Sequence, residues 1–279
     1  MKEKDKKVKN KYNVDTGFSV DGLPYARIGN HPNILFNLEA LSFKNEPSSG
    51  IALRLFIKFA QAFTDEYTVY LVGRKQNVPE SYTFEDMADD YAKMIRREFK
   101  EPVIIMGVST GGQIAQYLAA NHPDIVQKLI IISTAYRVSE KGAEIENQVA
   151  EYFKQEKYGK AFATMLDLIW SSRIARSIAK FLTRIFGKMV MGKIEYPNDL
   201  LTEIRGDIEM NFKDRLKEIQ APTLVLSGES DIEYTADLVR ETAESIPNAK
   251  LILYKDYGHN LSMANRKQLQ KDILEFLKS

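Results

Sequence analysis

A serine stands between two glycines in the segment Gly107-Val108-Ser109-Thr110-Gly111. An apolar run typical of a buried strand precedes it at 102–106, and a helical pattern follows at 111–121. A serine on such a sharp strand-to-helix turn exposes its hydroxyl above the sheet, where it can act as a nucleophile. The flanking glycines lack the Cβ atoms that would collide where strand and helix approach each other. The N–H groups at the helix start favour a developing negative charge.

A serine nucleophile needs a base, and the sequence contains three histidines. His31 precedes the first apolar strand pattern, and His122 lies at the far end of the helix that follows Ser109. His259 comes just after a strand pattern at 250–254. In a parallel sheet the loop after a strand lies at the carboxyl edge, where ligands bind. Position and elimination therefore favour His259 as the base.

The carboxylate that orients the base should also follow a strand and reach the same edge of the sheet. The strand pattern at 223–227 is followed by Gly228-Glu229-Ser230-Asp231. The chain order serine, aspartate, histidine is one of the known orders of a catalytic triad. We expect Asp231 to be the acid, with Glu229 and Glu233 as alternatives if the loop turns differently.

Strand and helix patterns alternate on both sides of a long helical interval. The dipeptide Asp21-Gly22 predicts a hairpin within residues 14–28. The alternation predicts an α/β fold with a mostly parallel, doubly wound sheet, and the helical interval predicts an all-helical insertion. The predicted organisation is a basic, solvated N-terminal tail at 1–12, an α/β core at 13–135 and 213–279, and a helical cap at 136–212.

These features resemble the α/β-hydrolase fold superfamily over nearly the whole chain. The resemblance depends on the Ser109 segment, on Ala221-Pro222-Thr223-Leu224-Val225-Leu226-Ser227-Gly228-Glu229-Ser230-Asp231, and on Gly258-His259. It implies that Ser109 is the nucleophile, His259 the base and Asp231 the acid. It also implies that the helical interval is the cap inserted over the site and that the Thr110 N–H donates to the oxyanion.

One segment departs from the family pattern. Members often carry His-Gly after the first parallel strand, whereas this chain reads Asn37-Leu38-Glu39-Ala40-Leu41 there. The second oxyanion N–H is expected from Ala40, or from Glu39 if the register slips by one residue. One such donor is typically worth about 10² to 10³ in rate. A Glu39 carboxylate aimed into the site would oppose the oxyanion.

Composition excludes several other classes of protein and site. The 279 residues are 44% hydrophobic and 28% charged, which is typical of a globular protein. The chain has no cysteine, so disulfides, thiol catalysis and cysteine-ligated zinc are excluded. We expect no metal and no organic cofactor. No apolar run is long enough for a membrane helix, and no secretory signal is recognisable. We therefore expect a cytoplasmic protein.

The charge distribution indicates which kinds of partner the protein could bind. The net charge is +1, which gives no domain-wide basic field for nucleic acid. Residues 160–193 carry seven Lys or Arg against Asp167 alone, and the basic residues recur at helical spacing beside an apolar face. Such a helix could contact an anionic membrane surface, although a cap helix with a solvated basic side is favoured. Four aromatic residues there predict an apolar lining: Phe162, Trp170, Phe181 and Phe186.

The sequence therefore predicts a serine hydrolase that cleaves a carboxylic ester with an apolar acyl or alcohol group through an acyl-enzyme. Its partner would be a small-molecule substrate. Hydrolases of carbon–carbon, thioester or peptide bonds use the same residues and stay open as alternatives. A binding or signalling protein of the same fold with little turnover is the alternative outside enzymology, because of the altered segment at Leu38-Glu39-Ala40.

Overall fold

The computed structural model describes residues 2–169 and 194–279. Its strands are β1 (Val14–Phe18), β2 (Pro24–Ile28), β3 (Ile34–Leu38), β4 (Thr68–Val72), β5 (Val103–Val108), β6 (Val126–Ile132), β7 (Thr223–Gly228) and β8 (Ala249–Tyr254). They form one eight-stranded sheet in the order β1-β2-β4-β3-β5-β6-β7-β8. Strands β1 and β2 form an antiparallel hairpin, β2 pairs antiparallel with β4, and all other pairs are parallel.

The hairpin predicted around Asp21-Gly22 is confirmed. The turn closes with a hydrogen bond from the Ser19 N–H to the Leu23 carbonyl at 2.8 Å, and Gly22 has φ 82°. That backbone conformation favours glycine because it lacks a Cβ. The mostly parallel sheet likewise confirms the predicted α/β fold class.

Helices cover both faces of the sheet. They are α1 (Lys2–Tyr12), α2 (Gly50–Ala60), α3 (Phe84–Glu98), α4 (Thr110–Asn121), α5 (Glu140–Lys154), α6 (Tyr158–Ile169), α7 (Pro197–Glu209), α8 (Ala236–Ser245), α9 (Leu261–Ala264) and α10 (Arg266–Lys278). Alternate residues of the central strands enter opposite cores, as the two-residue period of a strand requires. In β5, for example, Ile105 packs with α3 and α4, whereas Ile104 and Met106 pack with α2 and α10.

Helices α5, α6 and α7 lie in the interval predicted to be a helical insertion. They share a separate apolar cluster that includes Val149, Phe153, Met165, Leu200 and Ile204. The boundaries of the core and the insertion stay a prediction. The basic helical stripe expected within 173–188 lies outside the described residues, and so do Trp170, Phe181 and Phe186. Within the described ranges, no helix combines the length and the apolar character that crossing a membrane requires.

One local expectation differs from the structure. Residues predicted to be a solvated tail form helix α1, whose Val8 and Tyr12 pack against the core shared by α2 and α10. Asp5 is buried there and accepts a hydrogen bond from the Gly50 N–H at 3.2 Å. This contact was not predicted because most residues of the segment are lysines. At the C-terminal end, helices α9 and α10 are separated by Asn265, where φ is −121°.

Candidate active site

Ser109 lies on a strained turn between β5 and α4. Its backbone has φ 54° and ψ −128°, a conformation that residues with a Cβ rarely adopt. Such a residue costs about 1 to 3 kcal/mol and persists only where its surroundings fix it. Here the Ser109 N–H donates to the Ile132 carbonyl of β6 at 3.0 Å, and the Ser109 carbonyl accepts from the Gly112 N–H at 2.7 Å. The turn thus holds the Ser109 side chain at the carboxyl edge of the sheet.

The two glycines of the motif are required by close backbone approaches. A Cβ at Gly107 would lie 2.4 Å from the Gly111 carbonyl oxygen. A Cβ at Gly111 would lie 2.4 Å from the carbonyl oxygen of Leu38 and 2.5 Å from that of Glu39. The second approach places the start of α4 directly against the segment that follows β3.

We expect Gly111→Ala to destabilise the fold by about 3 kcal/mol, because both clashing atoms belong to the backbone and cannot rotate away. Urea unfolding of the purified variant measures this loss. Gly17→Ala is the matched control, since a Cβ there would meet only the Tyr25 side chain, at 3.6 Å. Equal stability of the Gly111 variant and the wild type would contradict the close approach.

The two expected oxyanion donors lie on the two segments that this approach brings together. Thr110 is the first residue of α4, so its N–H has no acceptor within the helix. The Glu39 N–H donates to the Val72 carbonyl at 3.0 Å and is therefore engaged in the sheet. The Ala40 N–H has no hydrogen-bond acceptor in the part of the chain that the structure describes. Of the two registers considered from sequence, the geometry favours Ala40.

Arg74 binds the Leu38-Glu39-Ala40 segment from the loop after β4, a contact that the sequence did not indicate. Its guanidinium donates to the Glu39 carbonyl at 2.5 Å and to the Ala40 carbonyl at 2.9 Å. It also forms an ion pair with Glu203 of α7 at 2.5 Å, and each of the two side chains is only 1% exposed. Arg74 therefore fixes the backbone at the place where the family pattern has glycine.

The pKa of the buried Glu39 carboxyl group lies near neutral pH. Desolvation by burial raises this pKa, the Arg74 charge lowers it and the Glu203 charge raises it. The net result is a pKa of about 7. A Cβ at Gly73 would lie 3.0 Å from Glu39 Oε2, so this carboxyl group extends towards the end of β4. The carboxylate that could have opposed an oxyanion is thus partly protonated at neutral pH.

Asp231 and His259 meet at the carboxyl ends of β7 and β8. Asp231 Oδ2 lies 3.0 Å from His259 Nδ1. The other carboxylate oxygen, Oδ1, accepts the N–H groups of Glu233 at 2.9 Å and Tyr234 at 3.2 Å, which fixes the carboxylate in its loop. A Cβ at Gly228 would lie 2.2 Å from the Tyr257 carbonyl oxygen, so the two loops are in direct contact.

The remaining histidines and the alternative acid Glu229 lie elsewhere. His122 Nε2 is 2.7 Å from Asp89 on the outer face of α3. His31 uses its backbone to bind Thr68. The side chain of Glu229 pairs with Arg240 at 3.7 Å. The structure therefore brings His259, Asp231 and the Ser109 turn to one edge of the sheet, and leaves His31, His122 and Glu229 outside it.

Glu233, the other alternative acid, contacts the opposite nitrogen of the base. Its Oε2 lies 3.2 Å from His259 Nε2, and its side chain is 3% exposed. Burial lowers the pKa of His259, but the charges of Glu233 and Asp231 outweigh it and raise the pKa to about 9. From the sequence, Glu233 was expected only as an alternative to Asp231, whereas in the structure both carboxylates contact the ring.

Helix α7 presents three acidic residues, four positions apart, to the core: two of them bind the loop that follows β4, and the third binds the start of α4. Asp199 accepts the N–H groups of Asn77 at 3.0 Å and Val78 at 3.1 Å. Glu203 pairs with Arg74, as described above. Asp207 accepts the hydroxyl groups of Thr110 at 2.5 Å and Tyr234 at 3.1 Å, beside the Ser109 turn. Burial and the Glu233 charge raise the pKa of Asp207 to about 8.

A cavity of about 410 Å³ lies between α2 and α9, next to the Leu38-Glu39-Ala40 segment. Its size is within the usual range for a small-molecule site. Apolar side chains dominate its wall: Ala52, Leu55, Phe56, Phe59, Leu71, Val108 and Met263. Ala40 and Val108, the residue that immediately precedes the serine, both lie on its wall.

Comparison with known proteins places this arrangement in a family. A sequence profile described as alpha/beta hydrolase fold matches residues 72–265. The chain belongs to the alpha/beta hydrolase fold family. The match spans the Ser109 turn, the helical insertion, Asp231 and His259, and the protein is a hydrolase of this fold.

Individual relatives of this alpha/beta hydrolase are distant. The bifunctional esterase/perhydrolase DCH of Acinetobacter calcoaceticus is 23% identical over 225 residues, which cover 74% of this chain and 78% of that protein. The pimeloyl-[acyl-carrier protein] methyl ester esterase of Chromobacterium violaceum is 23% identical over 233 residues, covering 81% and 89%. The crystal structure of MGS-M2, an alpha/beta hydrolase enzyme from a Medee basin deep-sea metagenome library, superposes with a TM-score of 0.77 at 15% identity, covering 92% and 94%.

Proposed function

We propose that this hydrolase cleaves carboxylic esters through an acyl-enzyme formed on Ser109, with His259 as the base and Asp231 as the acid. The observation that carries the proposal is the 3.0 Å contact between Asp231 Oδ2 and His259 Nδ1, at the same sheet edge as the strained Ser109 turn. Two relatives named as esterases support the choice of bond.

The reaction follows from these positions. The Ser109 hydroxyl attacks the ester carbonyl carbon and gives its proton to His259 Nε2, while Asp231 keeps the other ring proton on Nδ1. The N–H groups of Thr110 and Ala40 bind the oxygen that becomes negative. The ring then returns its proton to the departing alcohol. Water repeats the sequence on the acyl-enzyme, releases the acid and restores Ser109.

The cavity beside Ala40 supports an apolar acyl group as part of the substrate. Its wall is mainly aliphatic and aromatic, and Ala40 and Val108 lie on it. An apolar chain bound there would have its carbonyl carbon near the expected oxyanion donors. Burial of each methylene group contributes about 0.8 kcal/mol, so affinity should rise with chain length until the cavity is full.

A series of p-nitrophenyl esters from acetyl to long acyl chains tests the function. We expect turnover with an optimum at intermediate length, and stoichiometric labelling of Ser109 by a fluorophosphonate probe, measured as intact mass. Ser109→Ala is the control and should show neither the label nor a rate above background.

Either result is informative about the bond. Labelling of Ser109 without turnover of any ester would retain the nucleophile and reject the simple ester, leaving carbon–carbon, thioester or peptide bonds. Absence of both labelling and turnover would reject the acyl-enzyme and favour a binding role for the site.

A further inference from the structure

Both nitrogens of the proposed base are bound by carboxylates. Asp231 Oδ2 lies 3.0 Å from Nδ1 of His259, and Glu233 Oε2 lies 3.2 Å from Nε2. The ring also stacks on Tyr234, with centroids 5.8 Å apart and an interplanar angle of 27°. A ring that donates from both nitrogens is an imidazolium, which has no free position to accept a proton.

Nε2 is the nitrogen that the reaction needs. Because Asp231 holds Nδ1, only Nε2 is left to take the proton of Ser109. Glu233 occupies that nitrogen instead. Among the residues that the structure describes, no hydrogen bond joins the Ser109 hydroxyl to His259. The geometry is that of a base held away from its nucleophile.

We propose that Glu233 is a positioning residue that holds His259 in a resting state, and that the ring must leave Glu233 before it can activate Ser109. The proposal rests on the proposed function of His259 as the base. Activation breaks the Nε2–H bond, releases that proton to water, and leaves a neutral ring whose Nε2 lone pair can accept the proton of Ser109.

The backbone of Glu233 is fixed, so the movement belongs to the ring or to the Glu233 side chain. The Glu233 N–H donates to Asp231 Oδ1 at 2.9 Å, and its carbonyl accepts the Ser139 N–H at 2.8 Å. A Cβ at Gly142 of α5 would lie 3.2 Å from the Glu233 Cα, so α5 packs directly against this residue.

The charges around the contact come from three elements. Asp231 faces the ring from the loop after β7, Glu146 faces Glu233 from α5, and Asp207 contributes from α7. Burial and the neighbouring acids raise the pKa of Glu146 well above its usual value. Burial also raises the pKa of Glu233 to about 7, although the His259 charge lowers it. Above about pH 7, Glu233 is therefore ionised and faces the imidazolium together with Asp231.

This arrangement sets the direction of the pH dependence. The base must be neutral to act, and the two carboxylates raise the pKa of His259 to about 9. In the wild type, kcat/KM should therefore rise with pH up to about 9. Removing the Glu233 charge lowers the pKa of the ring, and an opposite charge at this distance typically shifts a pKa by about 1 to 3 units.

The experiment compares Glu233→Gln with the wild type in two measurements. The first is the titration of His259 by NMR of protein labelled with ¹⁵N-histidine, with the signal assigned from its absence in His259→Ala. We expect the midpoint to fall by about one unit or more. The second is the pH profile of p-nitrophenyl ester hydrolysis. Its acidic limb should shift to lower pH by the same number of units as the His259 midpoint. At pH 7 the value of kcat/KM should rise about ten-fold, since one unit is a factor of ten.

Glu146→Gln is the matched control, because it alters an acid of the same cluster that forms no hydrogen bond or ion pair with His259 among the described residues. Its His259 midpoint should stay within about 0.3 units of the wild type. Glu233→Asp keeps the charge but shortens the reach to Nε2, and should shift the midpoint in the same direction by less. It replaces the glutamine variant if that variant does not fold.

The two proposals fail in different ways. A midpoint in Glu233→Gln within about 0.3 units of the wild type overturns the role of Glu233, whatever the esterase activity. Loss of activity with an unchanged pH profile overturns it as well. Absence of ester turnover in the wild type overturns only the proposed function, since the NMR titration still decides whether Glu233 holds the ring.

Discussion

Asp231→Asn is expected to lower kcat for ester hydrolysis by about 10⁴, with little change in the fold. The asparagine Oδ1 can still accept the N–H groups of Glu233 and Tyr234, so the loop keeps its hydrogen bonds. Its amide nitrogen, however, donates to His259 Nδ1 and places the ring proton on Nε2. Glu233 accepts that proton in a hydrogen bond and stabilises the wrong tautomer further. Steady-state kinetics beside thermal unfolding measure the two effects separately.

The comparison with Glu233→Gln decides which carboxylate is the acid. If Asp231 orients the base, only its replacement abolishes turnover, whereas the Glu233 variant gains activity at neutral pH. If the Glu233 variant instead loses about 10³-fold or more and the Asp231 variant loses less than ten-fold, the two roles are reversed. Ser109→Ala provides the background rate for both variants.

Arg74→Met should destabilise the protein by about 3 to 5 kcal/mol, the cost of leaving a buried charge without its partner. Glu203 is 1% exposed, and it also accepts a hydrogen bond from the Asn45 side-chain amide at 3.1 Å. The carbonyl groups of Glu39 and Ala40 also lose their donors. In a chain of this size the midpoint of thermal unfolding should fall by about 10 °C, measurable by calorimetry.

A double variant separates stability from activity. Replacing Arg74 and Glu203 together by methionine removes both charges, and such exchanges of a buried pair are often neutral. We expect the double variant to recover most of the lost stability. Its ester hydrolysis should stay low, because the Ala40 segment still lacks the donors that position it. A single Arg74→Met variant as stable as the wild type would show that the ion pair contributes nothing.

The fold and the chain order of the candidate site residues could be predicted from the sequence because they depend on local pattern. Gly107 and Gly111 mark a turn between a buried strand and a helix, and Asp231 and His259 each follow a strand. Parallel strands end at one edge, so these positions must converge. The family match from residue 72 to residue 265 agrees with that interpretation.

The unforeseen contacts depend on tertiary packing. Arg74 meets Glu203 across 129 positions of the chain, and no local pattern signals which acid a buried arginine will find. Glu233 is two positions from Asp231, in the same loop after β7. That spacing was a usable signal that both carboxylates could reach one ring, yet it does not tell which nitrogen each would bind.

Dependence on tertiary packing also explains why the contact of helix α1 with the core was not predicted. Its lysines indicated a solvated segment, and the few apolar residues among them were too sparse to predict packing. The structure shows that Val8 and Tyr12 are enough to seat it on the core, with the buried Asp5 bound to the start of α2. Composition described the exposed side of this helix and not its contact side.

The acidic residues of α7 have a consequence for how the molecule unfolds. Asp199 and Glu203 bind the loop that follows β4, and Asp207 binds Thr110 beside the nucleophile. Detaching this helix would leave Arg74 without its ion pair and the Asn77 and Val78 amides without their acceptor. Helix α7 therefore belongs to the cooperative unit of the sheet rather than to a separately opening lid, and its amides should share the slow hydrogen exchange of the core.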